Sequence, residues 1–143
     1  MSWRFSDELA AADAGFEAEG SNLLELLRSS VDATLAVMVG DPARLRPRRT
    51  VPVRLEAKDP AGLLFDLLQE VLFRKDADGL LLRFVEGGIE KHGGGLALTG
   101  VLRGETLDRE RHEPGVDVKA VTLYRFAVVE RDGRWHATVV LDV

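Results

Sequence analysis

Two stretches with helical hydrophobic spacing are followed by strand-like segments alone, and this order most constrains the fold. The first stripe is Leu24, Leu27, Val31, Leu35 and Met38, stepping by three or four residues as one helix face does. Ser21-Asn22 stands before it as an N-cap pair, with Glu25 placed for a variant of the capping box, and Gly40-Asp41-Pro42 closes it. The second stripe holds Leu64, Leu67, Leu68, Val71 and Leu72. Asp59-Pro60 opens it, Asp as N-cap and Pro at the first helical position; it runs to about Lys75 and stops near Asp78-Gly79.

Strand periodicity fills the rest. Residues 3–5 open a first strand, residues 7–12 connect, and residues 13–20 alternate, with Ala14, Phe16 and Ala18 on one face. Between the helices, Val51, Val53 and Leu55 alternate with polar neighbours, and Pro52 points to an edge or a bulge. After the second helix, segments 80–90 and 96–105 meet across a glycine-rich turn. A polar loop over 106–117 leads to segments 118–130 and 134–143, joined by Asp132-Gly133, a two-residue hairpin signal. The helices are too few and too badly spaced for a doubly wound parallel sheet. The expected fold is α+β: one domain over 1–143, two helices packed on mostly antiparallel sheet, with a closing C-terminal hairpin.

Composition narrows the function classes. A chain of 143 residues buries roughly 68–70% of its unfolded surface, enough for one sizeable core. The net charge of -5 argues against a broad footprint on DNA or RNA, which needs clustered Lys and Arg. If RNA is involved, a partner protein does the touching. Without cysteine there is no thiolate nucleophile or thiolate metal site, so a metal falls to oxygen ligands, which favour hard cations, or to His92, His112 and His136. Neither a signal-peptide core nor a run of the ~20 apolar residues needed to span a membrane is present, so a soluble, cytoplasmic protein is expected.

Three features carry possible chemistry. Asp13 lies on the polar side of an early strand; the bland reading is a solvated carboxylate. Asp142 ends the last strand beside Val143, and two negative groups there are unfavourable without a nearby cation, unless the terminus simply frays. The segment Arg111-His112-Glu113 through Thr122 delivers a lone Lys119 to an otherwise apolar strand, where it either snorkels to water or neutralises nearby carboxylates. Asp66, Glu70 and Arg74 read as a solvated helix face, and Arg44, Arg46, Arg48 and Arg49 as a basic surface loop. His92 and His136 read as surface side chains. There is no P-loop, nucleophile elbow or His-Glu-x-x-His motif.

Taken together, these segments resemble the archease family over nearly the whole chain. The carrying stretches are Ala12-Asp13-Ala14-Gly15, Ala36-Val37-Met38-Val39-Gly40, the second helix from Leu63 to Phe73, Asp108 to Glu113 with Val118-Lys119-Ala120-Val121-Thr122, and the ending Val140-Leu141-Asp142-Val143. One departure is Ala10-Ala11, where the family usually has His-Thr. The resemblance implies a non-catalytic cofactor of an RtcB-type RNA ligase, promoting guanylylation and multiple turnover in tRNA splicing and RNA repair. It implies that Asp13, Asp142 and Val143 hold a divalent cation, Ca²⁺ or Mg²⁺, and that Lys119 is functional beside it. His112 and Glu113, in the same recognisable stretch, are expected to face the partner. Rival expectations are a general chaperone-like binding module, marked by a large exposed apolar patch, and a small metal-dependent hydrolase, which needs a pocket and a general base.

Overall fold

The computed structural model describes residues 2–6, 14–112 and 115–143. Among them are seven strands and two α-helices: β1 (Ser2–Phe5), β2 (Ala14–Gly20), α1 (Leu23–Val39), β3 (Arg49–Ala57), α2 (Pro60–Asp78), β4 (Leu80–His92), β5 (Gly95–Thr106), β6 (Ala120–Arg131) and β7 (Arg134–Asp142). They form two antiparallel sheets, one ordered β1-β2-β7-β6 and the other β3-β5-β4. Each helix touches both sheets. This is the expected α+β arrangement, with its closing hairpin in β6 and β7.

Local chemistry places the boundaries where the sequence predicts them. The Asn22 side chain accepts the Glu25 backbone N–H at 2.9 Å, and Glu25 returns a carboxylate to the Ser21 N–H at 3.0 Å. Asp59 caps α2 by accepting from the Gly62 N–H at 2.8 Å, with Pro60 next in the chain. The left-handed Gly79 (φ 67°) ends it. Both hairpins turn on two residues with positive φ, Gly93-Gly94 (56° and 83°) and Asp132-Gly133 (54° and 77°), the torsions that suit the twist of the flanking strands. Pro52 sits on β3, an edge strand.

Two expectations are revised. The stripe on α1 describes only part of its buried surface: every residue from Ser29 to Val39 is buried. Small side chains on the other faces allow this. Ser29 Oγ donates to the Glu19 and Leu26 carbonyls, and Thr34 Oγ1 to the Ser30 carbonyl, so their polar atoms stay satisfied. Asp32 takes a bidentate pair from Arg83 at 2.9 and 2.8 Å, tying α1 to β4. The predicted last hairpin is also not continuous. Its register against β7 shifts between Thr122 and Ala127, and within that bulge Arg125 adopts φ 54° while Leu123 and Tyr124 stand exposed.

Candidate functional site

The inner strand β7 organises the end of the four-stranded sheet where the predicted residues gather. On one side Leu141 pairs with Ala14 of β2; on the other Asp142 pairs with Ala120 of β6. The Lys119 backbone N–H donates to the Asp142 carbonyl at 2.8 Å, so these two residues are locked side by side. Both are exposed, and neither has an ion-pair partner among the described residues. Val143 is half-buried and packs against the core. The structure thus brings Lys119, Asp142 and Val143 together. Asp13 and Glu113 lie outside the described residues. Among the described residues there is no cluster of three or more His, Cys, Asp or Glu able to hold a metal.

The described residues of the loop that delivers Lys119 are tethered at several points. It opens with the Leu107 N–H donating to the Gly79 carbonyl at 2.8 Å. The Asp108 carbonyl then accepts the N–H groups of Arg111 and His112, closing a turn. Farther on, Gly115 and Val116 donate to the carbonyls of Met38 and Val37 at 2.9 and 3.1 Å, satisfying acceptors at the C-terminal end of α1 that the helix leaves free. Gly115 is needed there: a Cβ would collide with both carbonyl oxygens.

His112 corrects an expectation. Rather than facing a partner it is buried, 8% exposed. Its Nδ1 accepts the Asp108 N–H at 2.8 Å, and its Nε2 lies 2.9 Å from Arg111 Nη2 and 3.3 Å from Glu105 Oε2. Arg111 meets the same buried carboxylate, and the Arg46 N–H donates to it at 2.7 Å. Burial pushes the imidazole pKa down, and the Arg111 charge adds to the effect. His112 and Glu105 therefore latch the loop from inside.

Sequence reasoning missed the other anchor. Lys75 falls four residues after Val71, on the inward stripe of α2, so its side chain enters the core side and is 7% exposed. Its ammonium donates to Asp117 Oδ1 at 2.6 Å and the Val118 carbonyl at 2.7 Å, and lies 2.9 Å from Asp76 Oδ1. Burial works against the charge, but the hydrogen bonds to Asp117 and Asp76 together with their negative charges outweigh it, and the pKa is raised. The missed signal was a Lys at a position where the helical period demands an apolar residue.

The weaker candidates are spread elsewhere. Arg74 pairs with Glu70 and Asp78 along α2, His92 with Glu56 at 2.6 Å, and His136 lies 3.8 Å from Glu19. Arg44, Arg46, Arg48 and Arg49 are all exposed. Among the described residues no helix is long and apolar enough to cross a membrane.

Comparison with known proteins gives one answer. Residues 3–143 match the model of the Archease protein family (MTH1598/TM1083). A protein archease from Thermococcus gammatolerans is 37% identical over 133 residues, covering 92% of this chain and 93% of that one. One from Methanopyrus kandleri is 36% identical over 132 residues, covering 92% and 94%. The solution structure of Methanobacterium thermoautotrophicum protein 1598 superposes with a TM-score of 0.84 at 34% identity, covering 99% of this chain and 98% of the other. The crystal structure of an archease, possible chaperone, from Thermotoga maritima shares the fold, with a TM-score of 0.63 at 19% identity over 94% and 93% of the two chains. This chain belongs to the archease family.

Proposed function

We propose that this protein is a metal-binding accessory factor that activates an RtcB-type RNA ligase, promoting its guanylylation and multiple turnover in tRNA splicing and RNA repair, without catalysing a reaction itself. Family membership supports the reading. The observation that carries it is the pairing of Ala14 with Leu141, because Asp13 precedes the first and Asp142 follows the second. Two carboxylates from distant parts of the sequence are thus each one residue from the same strand pair. Lys119 is hydrogen-bonded through its backbone beside Asp142.

Asp13 and Asp142, with Val143, would hold the cation, and an all-oxygen donor set suits Ca²⁺ or Mg²⁺ rather than a thiophilic metal. A divalent ion there supplies positive charge that neutralises the acidic end. Asp142 and Lys119 are exposed, so this end can approach a partner's active site without rearrangement of the core. RNA is then contacted through the ligase.

The test is single-turnover guanylylation of the matching ligase. The native protein accelerates it, and the Asp13→Ala, Asp142→Ala double variant loses most of that acceleration; equal acceleration by both proteins refutes the proposal. A chaperone-like binding module is a second reading, supported by the possible-chaperone description of the Thermotoga maritima structure and by the exposed Leu123, Tyr124 and Phe73. Suppression of aggregation by metal-free protein would favour it.

A further inference from the structure

We infer that Lys75 is a positioning residue for the Lys119–Asp142 end of the sheet: from the end of α2 its buried ammonium grips residues 117 and 118 and so fixes where Lys119 leaves the loop. The functional consequence rests on the accessory reading above, whereas the positioning itself does not.

The contacts form a short chain. Lys75 Nζ holds Asp117 by its carboxylate and Val118 by its carbonyl, at 2.6 and 2.7 Å. The next residue is Lys119, whose N–H donates to the Asp142 carbonyl at 2.8 Å, and the one after it, Ala120, is the first β6 residue in register with β7. An ammonium has three hydrogens, and here Asp117, Val118 and Asp76 offer three acceptors. Moving residues 117–118 away would strand a desolvated charge, which is expensive in a buried site. The grip therefore resists displacement more than an exposed ion pair would.

This contact differs from the others along the loop. Glu105 and His112 hold its first half, and α1 holds residues 115 and 116 by backbone bonds. Lys75 acts at the two residues directly before Lys119. The Val118 side chain is itself fully buried, so apolar packing keeps the segment attached when the charge is removed. Loss of Lys75 should thus loosen Lys119 rather than unfold the molecule.

Amide hydrogen exchange tests this without metal or partner. Lys75→Met keeps the side-chain length and removes the charge, and the Lys119 amide is expected to exchange about tenfold faster, a change of the order of one lost hydrogen bond. The central amides of α1, Val31 to Leu35, serve as internal reference and should hold their native rates. Lys75→Arg should stay closer to the native protein. An unchanged Lys119 rate overturns the inference; so does equal acceleration of α1, which would make Lys75 only a general stabiliser. If Lys75→Met fails to fold, Asp117→Asn weakens the same grip at an exposed residue and is read by the same amides, with a smaller acceleration expected at Lys119 alone. In a second arm, Lys75→Met should lower stimulation of ligase guanylylation and Lys75→Arg restore part of it. If the native protein gives no stimulation, the ligase reading fails and the exchange rates still decide the positioning role; if the native protein and Lys75→Met stimulate equally, the ligase reading stands and the functional part of the inference falls.

Discussion

The two ends of the four-stranded sheet treat their carboxylates differently. At the end bearing the Asp132-Gly133 turn, Glu19 accepts from Ser2 Oγ at 3.0 Å and lies 3.4 Å from Arg134 and 3.8 Å from His136. The hydrogen bond from Ser2, with the two basic neighbours, holds its carboxyl below the usual range. At the opposite end Asp142 is exposed and has no ion-pair partner among the described residues, and the Lys119 bonded to its backbone forms no side-chain ion pair there. One end is balanced within the chain. The other leaves charge available, while the loop feeding it is held by buried groups. Charge left unmatched on a firmly held frame suits a binding end, and a self-neutralised end suits plain surface.

The largest effect that tests this contrast lies at the start of the loop that feeds the available end. Glu105→Ala removes the acceptor shared by Arg46, Arg111 and His112, leaving a buried latch without its anion. Breaking a buried pair costs about 3–5 kcal/mol; because Arg111 is 30% exposed, a loss of about 2–4 kcal/mol in denaturant unfolding is expected. Glu19→Gln, at the balanced end, should leave the unfolding midpoint nearly unchanged. Equal losses at the two ends would erase the difference between a framed end and a plain one.

Much of this frame was legible because it is local. Asn22, Asp59 and Gly79 mark helix ends through bonds made within a few residues, and Asp132-Gly133 and Gly93-Gly94 turn on their own torsions. Pro52 announced an edge because it lacks an N–H. Lys75 and Glu105 were not legible, because a buried charge is explained by partners 42 and up to 59 residues away. The β6 bulge was hidden as well: Leu123 to Phe126 reads as ordinary strand, and only the pairing with β7 reveals the shifted register and the left-handed Arg125. Of the candidate site, the meeting of Lys119 with Asp142 follows from β6 and β7 being neighbours, which the hairpin turn predicted. The inward turn of His112 depends on Glu105 and could not be read from the loop.

Cation binding sharpens the contrast directly. With Ca²⁺ at a hundred times its Kd, the native protein should gain about 2.7 kcal/mol, seen as a rise in Tm. Glu19→Gln should keep the whole rise and Asp142→Asn should lose it. A calcium-dependent rise that survives Asp142→Asn but disappears with Glu19→Gln would reverse the assignment of the two ends.

The smallest effect is a pH dependence specific to the latched loop. Burial, reinforced by Arg111, lowers the folded pKa of His112 below its ordinary value near about 6.5. As pH falls below that value, the unfolded chain takes up a proton that the folded His112 refuses, so the unfolded state binds more protons and stability drops. The loss begins near pH ~6.5, continues down to the folded pKa, and is absent above ~6.5; its slope is at most about 1.4 kcal/mol per pH unit. His112→Asn, which keeps a side-chain acceptor for the Asp108 N–H, should flatten that slope, measured by urea unfolding between pH 5 and 7.5. If the slope survives His112→Asn unchanged, another group governs the proton uptake, and the latch in the loop before Lys119 is not the pH-sensitive part of the fold.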